Sequence, residues 1–299
     1  MTDHILGALA RHMPGYEIRT ITSLGGGLDN IAYEVNSEIV VRQSRDEDPA
    51  SRQETTRREA ALLTVVSELS PLPVPRPIFV DDGAGILAYA KLPGLPLNQR
   101  PVPEPVRLAP PLGLFLSRLH AAPAERMAAL VPRDSYPLDE LLDDAERDYR
   151  DIAPHIPVPA RRLVEDFLTR TAPQGPQSLV FCHNDLGSEH ILVNVETSTV
   201  TGVIDWTDAA IADPAYELAL IYRDLGPEIF DLTLTHYDGP VDAAVHERVV
   251  FYARCALLED IAHGVRTGAQ QYADAGLAHL DRTFSWPRGD GFLSRSRRP

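Results

Sequence analysis

The segment from residue 179 to residue 213 restricts the fold of this chain more than any other. Its sequence is LVFCHNDLGSEHILVNVETSTVTGVIDWTDAAIAD, in which short apolar runs alternate with polar ones. The apolar runs predict three strands, at 179–182, 191–195 and 200–204. Because the second and third strands form a hairpin, their outer ends meet, and we expect Asp185 and His190 to lie close to Asp205.

Two carboxylates and an imidazole at the end of a small sheet suit phosphoryl transfer. In that reaction one aspartate accepts the proton of the attacking hydroxyl, and other side chains hold Mg²⁺ against the nucleotide phosphates. The interval from Asp185 to His190 matches the Asp-x-x-x-x-Asn interval of the protein-kinase catalytic loop, with His in place of Asn. Asp185 is therefore the predicted catalytic residue, and His190 and Asp205 are the predicted metal ligands. Since Mg²⁺ prefers oxygen ligands, we expect Asp205 to hold the ion more firmly than His190.

The same residues allow two other interpretations. His183 and His190, together with Asp185 and Asp205, are also a ligand set for zinc or iron in a hydrolase. Polar loop residues of this kind also simply cap and turn the chain. Phosphoryl transfer is favoured because other parts of a kinase site occur elsewhere in the chain in the expected order.

A glycine-rich turn lies near the N-terminus, where SLGGGLDN separates two short strand-like segments. Glycines between strands let backbone N–H groups approach phosphates, although such a turn alone is also an ordinary permissive turn. The predicted nucleotide contacts in this turn are Gly25, Gly26, Gly27 and Asn30.

The next strand, EIVVR, ends with Arg42, where protein kinases carry the lysine that binds the α- and β-phosphates. Strand alternation places Val40 on the same face, so Val40 is expected to line the adenine pocket. A helix follows, and Glu59 lies on its apolar stripe, where a buried charge requires a partner. We therefore expect Glu59 to pair with Arg42; the alternative is a solvated helix charge. Arginine keeps the charge of lysine but changes the donor geometry.

HNDLGSEHILV followed by GVIDWTDAAIADPAYELA resembles the aminoglycoside phosphotransferase family of kinase-like enzymes. Histidine at the second metal position, together with IDWTDA, is similar to the macrolide and 2''-aminoglycoside phosphotransferases of that family. The resemblance implies an α+β, bilobal, protein-kinase-like fold, with a small antiparallel sheet plus one helix in the N-lobe and a larger, mainly helical C-lobe. The implied lobes are residues 1–91, which bind nucleotide, and residues 92–299, which carry catalysis and the acceptor. Within the second lobe, 288–299 is expected to be disordered.

The resemblance also implies an activity. It is the transfer of the γ-phosphate of ATP or GTP to a hydroxyl of a small molecule, an antibiotic such as an aminoglycoside or a macrolide, with Mg²⁺ as cofactor. Tyr89 and Lys91 precede the implied hinge and are expected to contact the nucleotide. His183 is expected to brace the catalytic loop, and Asp213 to fasten it through hydrogen bonds. Candidate contacts for a cationic acceptor are Asp208, Glu259 and Asp260.

The composition bears on partners and location. A net charge of −15 argues against nucleic acid, whose phosphates require clustered Lys and Arg, and is compatible with a cationic acceptor. No apolar run predicts a membrane span, no secretion signal is visible, and two widely separated cysteines indicate free thiols, so a cytoplasmic protein is expected. Two alternatives stay open: a metabolic kinase of sugars, choline-like compounds or amino-acid alcohols, and a non-catalytic pseudokinase.

Overall fold

A computed structural model of this protein describes residues 3–26 and 30–285. Two predictions fall outside these residues: the nucleotide contact at Gly27 and the disorder of 288–299. Within the described part of the chain, no helix is long and apolar enough to cross a lipid bilayer.

The N-terminal part of the chain forms an antiparallel sheet of five strands with two helices. The strands are β1 (Ile21–Gly26), β2 (Asn30–Val35), β3 (Ile39–Ser44), β4 (Pro77–Asp81) and β5 (Ile86–Ala90). Their order across the sheet is β1-β2-β3-β5-β4. Helix α1 (Asp3–His12) precedes the sheet, and helix α2 (Pro49–Leu69) connects β3 to β4.

Alternating side chains of β3 and β5 give the sheet two different faces. Val41 and Ala88 point to one side, where they share a buried cluster with Leu9 of α1. Val40 and Tyr89 point to the other side, where they pack in one cluster with the apolar stripe of α2. Arg42, two positions after Val40, therefore also faces α2, because side chains alternate between the two faces of a strand.

Helix α2 begins and ends at residues that favour these positions. Asp48 caps its N-terminus by accepting a hydrogen bond of 2.7 Å from the N–H of Ser51, and Pro49 occupies the first turn. The helix ends at Leu69, just before the proline-rich segment 71–77, which cannot continue it. Glu59 lies in the middle of this helix and is held in a fixed orientation relative to β3.

The rest of the chain is mainly helical. Its helices within the described residues are α3 (Ala109–His120), α4 (Ala124–Met127), α5 (Leu138–Ile152), α6 (Val158–Leu168), α7 (Pro214–Leu234), α8 (Ala243–Thr267) and α9 (Gln270–Phe284). Short strands accompany them: β6 (Leu95–Pro96), β7 (Val180–Cys182), β8 (Ile191–Asn194), β9 (Thr199–Val203) and β10 (Ala210–Ala212). Strands β6, β8 and β9 form one sheet, and β7 pairs with β10.

The five-stranded sheet and the smaller sheets are separate. Strand β5 ends at Ala90, and the chain then turns through Gly94 into β6, which pairs with β8. Gly94 has a φ of 107° and lies against Val193 and Thr201, so a side chain would not fit there. The predicted division after residue 91 agrees with this arrangement and stays a prediction.

The predicted hairpin is present as β8 and β9. Ile191 lies opposite Val203 in the antiparallel register. One residue further out, the N–H of Ile204 donates to the carbonyl of His190 at 3.0 Å. The next residue after Ile204 is Asp205, so the hairpin brings the β7–β8 loop and Asp205 to the same end of the sheet, as the sequence predicts.

A buried aromatic cluster supports this end of the sheet. The Trp206 ring is 1% exposed and lies 6.1 Å from the ring of Phe115 in α3 and 6.3 Å from that of Phe181 in β7. It also contacts the imidazole of His183 edge-on, with a centroid distance of 4.6 Å. The loop that carries Asp185 therefore begins on a closely packed part of the core.

Candidate active site

The β7–β8 loop, residues 183–190, brings three of the predicted site residues together. The Nδ1 atom of His190 lies 2.7 Å from the backbone carbonyl of Asp185 and 3.3 Å from its Oδ2 atom. In the neutral ring, an Nδ1–H donor to that carbonyl leaves Nε2 available to a metal. Histidines that bind metals in proteins commonly have this arrangement, because the second hydrogen bond fixes the tautomer. Burial disfavours the charged form of His190, but the neighbouring carboxylates outweigh it, raise the pKa of His190 and favour its charged form.

His183 is fully buried and connects the loop to the hairpin. Its Nε2–H donates to the carbonyl of Ile204 at 2.9 Å, and its Nδ1 accepts the N–H of Asp185 at 3.3 Å. Burial lowers the pKa of His183 to about 4, so the ring is neutral at pH 7 and can accept at Nδ1. These contacts favour the bracing role expected for His183, which stays a prediction.

The environment of Asp185 disfavours its charged form. Burial raises the pKa of Asp185 to about 6, repulsion from neighbouring carboxylates adds to the effect, and His190 opposes it. A carboxylate with a pKa near the working pH both accepts a proton efficiently and is largely ionised at pH 7. This is a property that a general base requires.

Arg42 of β3 connects the two parts of the chain. Its Nη1 atom forms an ion pair with Glu59 of α2 at 2.9 Å and lies 3.4 Å from Oδ1 of Asp205. Its Nη2 atom donates to the hydroxyl of Thr207 at 2.7 Å. Burial disfavours the charge of Arg42, but Glu59 and Asp205 outweigh it and raise the pKa of the guanidinium. The contact between Arg42 and Glu59 expected from the sequence is therefore present.

The side chains around the loop fit a hard divalent cation. Ligating atoms of Asp185, Glu189 and His190 lie within 4.8 Å of one another. Asp205 and His190 each shift the pKa of the other through their charges. Burial would raise the pKa of Asp205, yet Arg42 and His190 lower it overall, so Asp205 offers an ionised oxygen ligand of the type that Mg²⁺ prefers.

The glycine-rich turn closes the end of β1. Gly25 has a φ of 126°, a conformation that other residues rarely adopt, and a side chain on Gly26 would collide with the guanidinium of Arg45. Asn30 begins β2 opposite Ser44. Gly25 and Gly26 therefore belong to strand β1, where they pair with Ala32 and Ile31 of β2, and their nucleotide contacts stay predictions.

The remaining nucleotide candidates occupy different positions. Val40 is buried on the face of the sheet that carries Arg42. The charges of Arg42 and Glu59 both shift the pKa of the Tyr89 phenol. The ammonium of Lys91 forms an ion pair with Glu34 of β2. Val40 and Tyr89 therefore lie near Arg42, whereas Lys91 is paired with Glu34.

A large cavity lies beside the loop in the helical part of the chain. It has a volume of about 1710 Å³ and reaches Asn184, the residue before Asp185. The Asn184 Nδ2 atom donates to Oδ2 of Asp134 at 3.1 Å, and Asn184 has a φ of 65°, which asparagine tolerates well. Seven carboxylates and four guanidinium groups are among the residues that line the cavity.

The three predicted acceptor contacts do not share one environment. Glu259 lines the cavity, and partial desolvation there, together with the charge of Asp148, raises its pKa. Asp260 forms an ion pair of 2.8 Å with Arg223 of α7. Asp208 is exposed on the turn after Asp205, where its charge raises the pKa of Asp185. Of these residues, Glu259 is the one that faces the cavity.

Glu217 is a residue that the sequence analysis missed. It is fully buried in α7, and its Oε1 atom accepts the N–H of His183 at 2.7 Å. Its Oε2 atom lies 2.6 Å from Nε2 of His120. Asp213, which was expected to fasten the loop, instead caps α7 and forms an ion pair of 2.6 Å with Arg248. The rule that a charge on an apolar helix face needs a partner, applied to Glu59, would also have found Glu217.

We expect Glu217→Ala to destabilise the protein by about 3 kcal/mol or more, because it leaves buried donors without their acceptor. The measurement is the urea midpoint of unfolding. Glu165→Ala is the control, since Glu165 is exposed and binds only Tyr149 among its described hydrogen bonds. Equal midpoints for both variants would contradict the prediction.

Comparisons with known proteins agree with this geometry. Residues 20–249 match the sequence profile of the phosphotransferase enzyme family. Viomycin phosphotransferase of Streptomyces vinaceus is 26% identical over 203 residues, which are 66% of this chain and 70% of that protein. Aminoglycoside 3'-phosphotransferase of Streptomyces fradiae is 31% identical over 169 residues, which are 52% of this chain and 59% of that protein.

Solved structures show the same fold. The GDP and kanamycin complex of APH(2'')-IIIa superposes with a TM-score of 0.69 at 22% identity, covering 94% of this chain and 98% of that one. The macrolide 2'-phosphotransferase MphH of Brachybacterium faecium, as apoenzyme, gives a TM-score of 0.63 at 24% identity, covering 96% and 99%. The predicted α+β, bilobal, kinase-like fold is thereby confirmed.

Proposed function

The chain belongs to the phosphotransferase enzyme family, and we propose that it moves the γ-phosphate of ATP or GTP to a hydroxyl of a small-molecule antibiotic, conferring resistance. The observation that carries this proposal is the position of Asp185. Its neighbour Asn184 lines the cavity, and Asp205, whose charge raises the pKa of Asp185, lies 3.4 Å from Arg42. An acceptor that fills the cavity and extends past Asn184 would bring a hydroxyl to the carboxylate of Asp185, which could take its proton.

Each predicted residue has a role in this reaction. Asp185 orients the acceptor hydroxyl and removes its proton, and Arg42, held by Glu59, binds the α- and β-phosphates. Asp205 and His190 would hold Mg²⁺, and Glu189, whose carboxylate lies within 4.8 Å of a ligating atom of His190, would be an additional oxygen ligand. Mg²⁺, when bound, neutralises negative charge on the phosphates. His183 keeps Asp185 oriented through its backbone N–H.

A bulky, cationic acceptor suits the cavity. Its volume exceeds that of an ordinary drug-sized pocket, and carboxylates outnumber guanidinium groups among the lining residues. Glu259 and Asp134 are the carboxylates we assign to amine groups of the acceptor, because both line the cavity and Asp134 reaches Asn184. Aminoglycosides and basic peptide antibiotics therefore fit better than uncharged acceptors.

The test is a phosphorylation screen with γ-labelled ATP and GTP, each with and without Mg²⁺. The acceptors are kanamycin and gentamicin, viomycin, a macrolide, and a metabolic panel of sugars, choline and serine. We expect Mg²⁺-dependent transfer to at least one antibiotic, and a raised inhibitory concentration of that antibiotic in cells expressing the protein. Transfer only to the metabolic panel would replace the antibiotic proposal with the metabolic one.

The pKa of Asp185 predicts the pH dependence. Because the base acts in its ionised form and its pKa is raised to about 6, kcat/KM is expected to be flat above pH 7. Below pH 6 the ionised fraction falls about tenfold per pH unit, and the rate should fall with it. Nucleotide affinity measured over the same range is the control. A rate that stays constant down to pH 5 would remove Asp185 from the role of base.

A further inference from the structure

Helix α7 carries two buried carboxylates on the same side, and both contact the catalytic loop. Glu217 and Asp224 are seven residues apart, which is about two helical turns, so their side chains point in nearly the same direction. Glu217 accepts the N–H of His183 at 2.7 Å, and Asp224 accepts the N–H of Ser188 at 2.7 Å. Asp185 lies between these two fixed points.

The contact at Asp224 is buried and charged. The Asp224 side chain is 8% exposed. Burial would raise the pKa of Asp224, but Arg223 and the N–H of Ser188 lower it overall, so the group is a carboxylate. A charged acceptor makes a stronger hydrogen bond to a backbone N–H than a neutral one does. The loop N–H groups of Ser188 and His183 therefore each donate to a buried carboxyl group at 2.7 Å.

Arg223 keeps the carboxylate of Asp224 in place. Its Nε atom donates to Oδ1 of Asp224 at 2.6 Å, and its Nη2 atom to Oδ2 at 3.2 Å. Its Nη1 atom forms an ion pair of 2.8 Å with Asp260 of α8. The guanidinium of Arg223 thus binds one carboxylate of α7 and one of α8, which fixes the position of Asp224 relative to both helices.

A break in α7 lets helix α9 bind the backbone at Asp224. Gly226 has a φ of 82° and a ψ of 173°, and Pro227 has no N–H, so the helix is interrupted two residues after Asp224. The carbonyls of Arg223 and Asp224 accept instead from Nη2 of Arg282 in α9, at 2.7 and 2.5 Å. Helices α7, α8 and α9 therefore meet at the residue that holds Ser188.

We propose that Asp224 is a positioning residue for phosphoryl transfer. By holding the N–H of Ser188, three residues after Asp185, it fixes the far end of the catalytic loop, while Glu217 fixes the near end. Arg223 and Arg282 act through Asp224. This inference rests on the proposed function, since it assigns Asp224 a part in the same reaction.

The test compares Asp224→Ala with Asp224→Asn and wild type in the full-length protein. Asp224→Ala removes the acceptor, and we expect the Ser188 amide to exchange hydrogen faster. The kcat should fall about 10- to 100-fold, as for a displaced catalytic group, while both KM values change less than twofold. Asn keeps an oxygen that can accept the Ser188 N–H, so Asp224→Asn should recover most of the kcat.

Asp81→Asn is the matched control. Asp81 is also a mostly buried carboxylate with an arginine partner, Arg11, but it belongs to β4 of the N-terminal sheet. We expect its kcat and the exchange at Ser188 to equal those of wild type. If Asp224→Ala does not fold, Arg282→Met takes its place, with the same expected rise in exchange and fall in kcat.

The outcomes separate this inference from the proposed function. Unchanged exchange at Ser188, or an unchanged kcat despite faster exchange, would overturn the positioning role. Parallel losses in kcat, both KM values and thermal stability would also overturn it, because they would indicate a general structural role. Wild-type protein that transfers phosphate to no acceptor would contradict the proposed function, and the exchange at Ser188 would still decide whether Asp224 holds the loop.

Discussion

Asp185→Asn should lower kcat by about 100- to 10,000-fold, the usual contribution of a general base. Asparagine has nearly the same size as aspartate and keeps an oxygen beside His190, but it cannot take a proton from the acceptor hydroxyl. The loop contacts made by the backbone of residue 185, with His183 and His190, are unaffected by the change. Nucleotide affinity, measured by titration calorimetry in the presence of Mg²⁺, is therefore expected to stay within about threefold of wild type, well under 1 kcal/mol.

Asp274→Asn is the control for this prediction. Asp274 is exposed in α9, and it accepts a hydrogen bond from Gln270 of the same helix. Its substitution removes one negative charge and should leave kcat unchanged. If Asp185→Asn retains more than a tenth of the wild-type kcat, the base is another group. If instead nucleotide binding is lost together with kcat, Asp185 acts mainly through the nucleotide.

Arg42→Ala should raise the KM for the nucleotide about 10- to 100-fold, because a hydrogen bond to a charged group contributes roughly 1.5 to 3 kcal/mol. The change also leaves Glu59 buried without its ion-pair partner, whose removal lowers stability. The acceptor KM is expected to change little. Initial rates with the nucleotide varied at saturating acceptor give the nucleotide KM, and thermal unfolding gives the stability.

Two further variants make this prediction specific. Arg42→Lys keeps the charge but not the planar fork that contacts Glu59 and Thr207 together, so an intermediate nucleotide KM is expected. Arg57→Ala removes an exposed arginine of the same helix as Glu59, paired with Asp82, and should have little effect. An unchanged nucleotide KM in Arg42→Ala would reject the phosphate-binding role.

The proposed nucleotide site and the proposed acceptor site are linked to the loop of Asp185 through different residues. Arg42 extends from the five-stranded sheet and lies 3.4 Å from Asp205, so the proposed phosphate-binding residue contacts a proposed metal ligand. The cavity that we propose for the acceptor is lined by Asn184 and Asp134. Under the proposed function, substitution of Arg42 should change the nucleotide KM, and substitutions of cavity-lining residues should change the acceptor KM.

The sequence alone determined the parts of the site that follow from local periodicity. Short apolar runs separated by a tight turn specify a hairpin, and a hairpin necessarily brings Asp205 to the loop of Asp185 and His190. Alternation along β3 and the stripe of α2 place Arg42 and Glu59 on facing surfaces, and the structure has them 2.9 Å apart. In each case one element and its period were sufficient.

Only the tertiary structure decided which distant groups hold the loop and line the cavity. Glu217 lies 34 residues from His183, Asp224 lies 36 from Ser188, and Asp134 lies 50 from Asn184, each within hydrogen-bond distance of its partner. Such contacts depend on how α7 and the segment between α4 and α5 that contains Asp134 pack against the loop, which no local pattern specifies. The physical reason is that periodicity defines the face of one element, whereas the partner of that face is set by packing of the whole core.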